Sequence, residues 1–153
     1  MGSDSDAETL KPCGEVLREF GVPYEARVLS AHRTPKEACA YAEAAAGSGL
    51  KVLICAAGGA AHLAGVVAAH TELPVIGIPI ATEFMGGLDS LLSTVQMPAG
   101  TPVATVGVHS GGVRNAAFLA IRILAMQDPK LLEALKNHKK KTAEKTFAKK
   151  VNI

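Results

Sequence analysis

The sequence predicts an α/β fold in which helices cover a parallel sheet. Two short apolar runs, VLICAA (52–57) and PVIGIPI (74–80), are rich in β-branched residues, which is typical of strands buried on both faces of a parallel sheet. Segments with helical periodicity separate these runs, and this alternation indicates a doubly wound sheet. The composition agrees: 48% of the 153 residues are hydrophobic but only 4% are aromatic, so small aliphatic side chains must form the core.

Two more strands are predicted over YEARVLS (24–30) and PVATVGV (102–108). The first helix is expected from about Asp6 to Phe20, because apolar residues recur there at helical spacing and a glycine follows as a stop signal. Pro12 lies inside this helix and lacks the N–H that a helix interior needs, so we expect a kink or a late start.

The second helix has a clear opening in the sequence. Thr34 is the expected N-cap, Pro35 the first helical residue, and Glu37 is placed to complete a capping box. No internal repeat or low-complexity linker suggests a further folded unit. The remaining helices are predicted over about 60–70, 87–96, 112–126 and 129–150.

The distribution of charged residues divides the chain into two predicted parts: an α/β catalytic domain, 1–127, and a basic C-terminal helix, 128–153. The helix has eight lysines and three carboxylates, a net charge of +5, whereas the rest of the chain carries −3. A basic tail can bind nucleic acid. This one has no arginine and a single aromatic residue, Phe147, so base stacking is poorly served. We therefore expect a solvated helix that packs on a neighbouring subunit, and no nucleic-acid partner.

Neither a membrane partner nor a disulfide framework is expected. No apolar run approaches the roughly 20 residues that span a bilayer, and the start has no signal-peptide pattern. Cys13, Cys39 and Cys55 are odd in number and widely spaced in apolar surroundings, which favours free buried thiols in a reducing cytoplasm. Their spacing supports no metal site.

Ligands of doubly wound sheets bind where strands end and helices begin, and three such junctions carry polar residues. The first is MGSDSD, at the start of the chain. Ser5 can cap the following helix with Glu8 completing a capping box, and free N–H groups there favour a phosphate. Asp4 and Asp6 would repel a phosphate, so ribose hydroxyls are their natural partners. Plain capping without a ligand is the alternative.

The second junction is LSAHRTP (29–35). Arg33 offers a planar fork of donors that suits a phosphate. The helix dipole and the charge of Arg33 both favour a neutral imidazole at His32, the form that accepts a proton at pH 7. The alternative is a surface His-Arg pair without a function.

The third junction is AAGGAAHLAG (56–65). Gly58 and Gly59 allow the backbone to approach a ligand closely. The spacing matches neither a dinucleotide fingerprint nor a P-loop. His62 either contacts the ligand or caps its own helix. The other histidines have no motif around them and are interpreted as structural or exposed: His70, His109 and His138.

Taken together, these motifs resemble one family, the N5-carboxyaminoimidazole ribonucleotide mutases of purine biosynthesis. The resemblance covers nearly all of residues 1–126 through GSDSD, SAHRTP, GGAAHL, LPVIGIP, GLDSLLSTVQMP, PVATV and NAA, in that order. It implies a flavodoxin-like three-layer sandwich, a homo-octamer, a small ribonucleotide substrate and no metal or organic cofactor. The implied reaction moves a carboxylate from N5 of the substrate to C4 of the imidazole ring through enclosed CO2.

The resemblance also implies a role for each matching residue. His32 matches the catalytic acid/base, and GGAAH looks like the mutase branch rather than the branch that takes up CO2 directly. The implied substrate contacts are Ser3 and Asp6, with Asp6 on the ribose; Ser30 and Arg33 on the phosphate; and Gly58, Gly59, Ala60 and His62 around the migrating carboxylate. The sequence departs from the family at Ala64 and at HSGG (109–112). The direct carboxylase and a non-catalytic nucleotide-binding module remain as alternatives.

The family resemblance places a buried apolar strand directly before MGSDSD. In a flavodoxin-like strand order, 2-1-3-4-5, that strand lies inside the sheet. Two explanations are open for its absence from this sequence: a start-site truncation, which we favour, or a sheet rearranged to four strands. Truncation predicts a slot beside Met1 that is empty or irregularly filled.

Overall fold

The computed structural model describes residues 1–149 and has a parallel sheet between two layers of helices. The strands are β1 (Leu53–Ala57), β2 (Val75–Pro79) and β3 (Ala104–Thr105). The helices are α1 (Ala7–Glu19), α2 (Pro35–Ala45), α3 (Leu63–Ala69), α4 (Leu88–Val95), α5 (Ser110–Ala125) and α6 (Pro129–Phe147), with short 3₁₀ turns at Asp4–Asp6 and Phe84–Gly87.

The sheet has the order β1-β2-β3 and all its pairs are parallel. β1 and β2 pair along their full length, from Leu53 opposite Val75 to Ala57 opposite Pro79, which confirms the two strands predicted from apolar runs. The strand predicted over 102–108 forms only β3, because it pairs with two residues of β2, Ile76 and Gly77.

Each face of the sheet has its own core. α1 and α5 cover one face, where Val16, Ile76 and Ile121 are buried. α2 and α3 cover the other face, where the buried residues of α2 are Ala38, Ala42 and Ala45. The predicted α/β sandwich with a core of small aliphatic residues is therefore confirmed.

The strand predicted over 24–30 is wrong: within the described part of the chain, these residues form no strand. Met1 lies between this segment and β1. Its amino group donates to the Arg27 carbonyl at 2.9 Å, and its carbonyl accepts from the Leu29 amide at 2.9 Å. The Gly2 amide donates to the Ala56 carbonyl at 3.0 Å. Beyond these two residues, the segment has no neighbouring strand within residues 1–149 to complete a ladder.

These contacts preserve the flavodoxin-like order. Reading across the sheet, the segment 24–30 comes first, then residues 1–2, then β1, β2 and β3, which is the sequence 2-1-3-4-5. Three strands form in residues 1–149, so the sheet rearranged to four strands is not observed. A groove lies beside Met1, as predicted.

The first two helices begin close to the residues predicted from the sequence, but their side-chain caps differ from the prediction. α1 begins at Ala7 and continues through Pro12 without a late start. α2 begins at Pro35 after Thr34, but the Thr34 hydroxyl accepts from the Ser30 amide at 2.9 Å. The predicted capping box is wrong, because this hydroxyl is already used by the preceding loop.

The predicted Ser5 cap is also wrong. The Ser3 hydroxyl caps the 3₁₀ turn by accepting from the Ser5 amide at 3.3 Å, and the Ser5 hydroxyl donates back to the Ser3 hydroxyl at 2.8 Å. In the described structure α1 follows Asp6 without a side-chain cap.

The C-terminal helix α6 is capped by Asp128, whose carboxylate accepts from the amides of Lys130 and Leu131. Leu131 and Leu135 pack toward the core beside α5. The helix ends at Phe147; the last residue of the predicted range, 150, lies outside the described residues. Among the helices of residues 1–149, none is long and apolar enough to cross a membrane.

The cysteines of the described chain are free thiols, as predicted. Cys13 and Cys55 are buried, whereas Cys39 on α2 is half-buried. Burial raises the pKa of Cys13 to about 11 and that of Cys55 to about 12, so both thiols are protonated at neutral pH.

Candidate active site

A cavity of about 440 Å³ lies at the carboxyl end of the sheet, where the three predicted junctions meet. Its size is in the range of small-molecule sites. Seven of the nine predicted site residues line it; Gly59 and Ala60 belong to the same loop but do not. The lining residues are Gly2, Ser3, Asp6, Ser30, Ala31, His32, Arg33, Ala57, Gly58, Ala61, His62 and Leu63.

Arg33 is held at the cavity by the two neighbouring loops. Its Nη2 donates to the Gly2 carbonyl at 2.6 Å, and its Nε donates to the Ser30 hydroxyl at 3.4 Å. The same hydroxyl accepts from the Arg33 amide at 3.1 Å. These two side-chain bonds use two of the five guanidinium N–H groups, so the rest of the fork can bind an anion.

His32 and His62 form a hydrogen-bonded pair inside the cavity. The Nε2 atom of His32 lies 2.7 Å from Nδ1 of His62, and the two rings are inclined by 77°. One ring nitrogen must donate and the other accept, whereas an imidazolium has donors only. At least one ring of the pair is therefore neutral and can accept a proton.

Of the two roles predicted for His62, the structure shows no capping of its own helix within residues 1–149, and contact with a ligand stays a prediction. The residue occupies the N-cap position of α3, but it makes no side-chain cap hydrogen bond within the described residues. Its ring lies in the cavity and contacts His32. No group of three His, Cys, Asp or Glu side chains in residues 1–149 is arranged to hold a metal ion.

The first loop gives its two carboxylates different surroundings. The Asp4 carboxylate accepts from the Ser5 amide at 3.1 Å and from the Ser3 hydroxyl at 3.2 Å. Asp6 is half-buried and lines the cavity, whereas Asp4 is exposed and does not. Asp6 is thus the carboxylate that can reach a ligand from this loop.

The turn after β1 has an unusual backbone. Gly59 has φ +64°, which suits glycine, and Ala61 has φ +44°, which is rare for a residue with a side chain. The Gly59 amide donates to the buried Ser90 hydroxyl at 2.9 Å. This bond links the turn to α4.

Ser90 was not predicted as part of the site, although it lies in the GLDSLLSTVQMP motif. It belongs to α4, and its neighbour Asp89 accepts from the Thr82 hydroxyl at 2.8 Å and from the Ser90 amide at 2.8 Å. The Thr82 hydrogen bond is the main cause that lowers the pKa of Asp89. These contacts fix the start of α4 under the turn. Only proximity in the fold could have revealed this support.

The remaining histidines are structural, as predicted. His70 pairs with Glu43 at 2.9 Å, and the His109 ring caps α5 by accepting from the Gly111 amide at 3.1 Å. His138 packs against two aromatic rings, those of Phe20 and Phe118. The 109–112 stretch that departs from the family thus forms a helix start.

Comparison with known proteins places this chain among close relatives. Residues 1–145 match the family model described as AIR carboxylase. A protein of Pyrococcus horikoshii named N5-carboxyaminoimidazole ribonucleotide mutase is 51% identical over 149 residues, covering 97% of this chain and 83% of that protein. A Pseudomonas aeruginosa protein of the same name is 51% identical over 144 residues, covering 94% and 88%.

A solved structure has the same fold. The crystal structure of Treponema denticola PurE superimposes with a TM-score of 0.86 at 30% sequence identity, covering 96% of this chain and 90% of that chain. The agreement extends over nearly the whole chain.

Proposed function

Because this chain belongs to the AIR carboxylase family, we propose that it is a mutase of de novo purine biosynthesis. It interconverts N5-carboxyaminoimidazole ribonucleotide and 4-carboxy-5-aminoimidazole ribonucleotide. The names of relatives at about 50% identity support this substrate. The observation that carries the proposal is the His32–His62 pair, which places an acid/base group beside Arg33 in one small cavity.

The phosphate of the substrate binds at Arg33. The guanidinium is already oriented by Ser30 and Gly2, so little conformational freedom is lost when it binds an anion. The hydroxyls of Ser3 and Ser30 lie on the same wall and can donate to phosphate oxygens. Asp6 lines the same cavity and accepts from the ribose hydroxyls.

The migrating carboxylate occupies the end of the cavity formed by the turn after β1. Gly58 and Ala61 line this end of the cavity, and neither carries a large side chain. Gly59 and Ala60 act indirectly, by shaping the turn. A small enclosed space suits a CO2 molecule that must be kept from water until it reacts.

His32 carries the proton that the transfer requires. In the forward direction the bond between N5 and the carboxylate carbon breaks, its electron pair stays on N5, and His32 protonates N5 as CO2 is released. C4 then attacks CO2, and His32 removes the C4 proton to restore the aromatic ring. One proton moves from carbon to nitrogen overall, so one group serves as acid and then base. His62 positions the His32 ring.

The test replaces His32 by Asn, which removes the titrating ring. General acid–base groups contribute about 10²–10⁴-fold to turnover, so we expect at least a hundredfold loss in kcat with nearly unchanged substrate binding. His70→Asn is the matched control, because His70 pairs with Glu43 away from the cavity. A His32→Asn variant with more than a tenth of parental activity would refute the role.

The same assay separates the alternatives. The mutase consumes the N5-carboxylated substrate directly, whereas a direct carboxylase turns over aminoimidazole ribonucleotide with bicarbonate and leaves the N5-carboxylated substrate unused. A non-catalytic binding module binds the ribonucleotide, turns over neither substrate and does not need His32.

The protein acts as a homo-octamer in the cytoplasm, as the family resemblance implies. Residues 1–127 form the catalytic domain, and the basic helix from 128 packs on a neighbouring subunit. The support is the exposed face of α6: the helix has no buried residue in the described chain, and Leu132 is 45% exposed. Light scattering that gives a monomer or dimer at micromolar concentration would contradict this assembly.

A further inference from the structure

The loop of residues 30–34 is closed by the side chain of its last residue. The Thr34 hydroxyl accepts from the Ser30 amide at 2.9 Å and donates to the Ser30 carbonyl at 3.2 Å. The Thr34 amide donates to the same carbonyl at 3.0 Å. Both polar backbone groups of Ser30 are bound to one residue, so the position of Ser30 depends on Thr34.

This use of the hydroxyl is unusual for a residue that precedes a helix. Thr34 comes directly before Pro35, the first residue of α2, where a threonine commonly accepts from an amide of the first turn. Within residues 1–149 the Thr34 hydroxyl makes no such cap and is directed to the preceding loop. α2 thus lacks the stabilisation of a side-chain cap, and the loop gains a fixed conformation.

The Ser30 hydroxyl is the centre of this loop. It accepts from the Arg33 amide at 3.1 Å, from the Arg33 Nε at 3.4 Å and from the His32 amide at 3.4 Å. A hydroxyl has a single hydrogen, which rotates away from groups that donate to its oxygen. The N–H groups that donate to the oxygen also make this hydrogen a stronger donor. Since Ser30 lines the cavity, its hydrogen is available to a ligand there.

The Arg33 guanidinium is held from two sides. The Ser30 hydroxyl accepts from Nε, and the Gly2 carbonyl accepts from Nη2. The support that comes from the loop itself is therefore the one from Ser30. A planar guanidinium binds phosphate best when two of its N–H groups point at two oxygens, and this geometry depends on how the plane is oriented. A displaced Ser30 leaves that plane less well defined.

We propose that Thr34 is a positioning residue of the phosphate site, an assignment that rests on the proposed function, which supplies the phosphate. Thr34 does not line the cavity. Its hydroxyl fixes the Ser30 backbone, and the Ser30 hydroxyl then holds the Arg33 guanidinium in the orientation that binds the phosphate. The His32 ring is held by a different loop, through His62. Thr34 therefore acts on substrate binding and not on proton transfer.

The test replaces Thr34 by Val, which removes the hydroxyl and keeps the size of the side chain. Calorimetry measures the binding of aminoimidazole ribonucleotide without bicarbonate, and separately the binding of inorganic phosphate. We expect both dissociation constants to rise about threefold to tenfold, the range that one hydrogen bond contributes. Binding of the phosphate-free nucleoside should not change. With the N5-carboxylated substrate, KM should rise by a similar factor while kcat stays nearly constant.

Three further variants serve as controls. Thr34→Ser keeps the hydroxyl and should restore parental binding. Thr34→Ala also removes the hydroxyl but adds no methyl group, so it should behave as Thr34→Val does. Thr71→Val removes a hydroxyl that likewise accepts from an amide, that of Leu73 at 3.3 Å, before β2 and at the opposite edge of the sheet from the cavity. It should leave binding and turnover unchanged.

A double-mutant cycle tests the route from Thr34 to the guanidinium. In a Ser30→Ala background the connecting hydroxyl is already missing, so Thr34→Val should weaken phosphate binding by less than about twofold more. If the effects of the two substitutions add in full, Thr34 acts by another route and the proposal is wrong.

Other outcomes would also overturn it. One is parental affinity of Thr34→Val for both phosphate compounds, and another is failure of Thr34→Ser to restore binding. Equal losses in kcat and 1/KM would indicate a collapsed loop, and a lower unfolding temperature with unchanged phosphate binding would indicate a helix cap. A parental protein that binds the phosphate compounds without turnover contradicts the proposed function alone, and calorimetry still decides the role of Thr34. A parental protein that binds neither compound overturns both.

Discussion

Ser90 offers a test of how the active-site turn is supported. Ser90→Ala removes the acceptor of the Gly59 amide, a 2.9 Å hydrogen bond to a fully buried hydroxyl. An amide left without a partner in such surroundings costs about 1–3 kcal/mol. For a domain of this size each kcal/mol lowers the unfolding temperature by about 2–4 °C.

The matched control is Ser93→Ala, an exposed position on the same helix. Both substitutions exchange serine for alanine within α4, so the difference between them reports the two hydrogen bonds of the Ser90 hydroxyl, from the Gly59 amide and to the Asp89 carboxylate. Thermal unfolding measures stability, and kcat/KM with the N5-carboxylated substrate reports whether the active-site turn keeps its conformation. We expect Ser90→Ala to lower both relative to Ser93→Ala. If the two variants agree within about 0.5 kcal/mol and in activity, Ser90 does not support the turn.

Two further predictions concern charge. Arg33→Ala should raise KM for the ribonucleotide at least about tenfold, because a hydrogen bond to a charged group contributes about 1.5–3 kcal/mol. KM for the phosphate-free nucleoside should stay constant. Equal changes in the two KM values would place Arg33 outside the phosphate site. Burial raises the pKa of Cys55 from 9.0 to about 12, so the unfolded thiol ionises first and stability falls as pH rises above 9. Between pH 8 and 10 this amounts to about 1.4 kcal/mol. In denaturant titrations at several pH values, the Cys55→Ala variant should lack that loss of stability and the Cys39→Ala variant should retain it. Equal slopes of the unfolding free energy against pH in the two variants would contradict the assignment.

The sequence correctly predicted the strands whose burial follows from their own residues. VLICAA and PVIGIPI form β1 and β2 because continuous apolar runs are buried on both faces wherever they pair. The segment 24–30 has similar residues but forms no strand in the described structure. A strand needs a partner along its whole length, and here only Met1 provides one. Propensity alone does not contain that information.

The candidate site was predictable as a set of loops but not as a set of contacts. Doubly wound topology brings the carboxyl ends of strands together, so His32, Arg33 and Gly58 were expected in one cavity. The hydrogen bond between His32 and His62 depends on how two loops, 30 residues apart in the sequence, are positioned relative to each other. The sequence also did not show which hydrogen-bond partner a side chain would choose. The Thr34 hydroxyl does not cap α2, because it already accepts from the Ser30 amide.

Gly2 connects β1 to the active site. Its amide bonds to Ala56 of β1, and its carbonyl holds the Arg33 guanidinium at 2.6 Å. The orientation of Arg33 therefore depends on a two-residue stretch that three backbone bonds anchor, each worth about 0.5–1.5 kcal/mol. His32 contacts a different loop, through His62. A change in the position of Gly2 should therefore appear first as a higher KM for the ribonucleotide, the parameter that depends on Arg33, before it changes the proton transfer at His32.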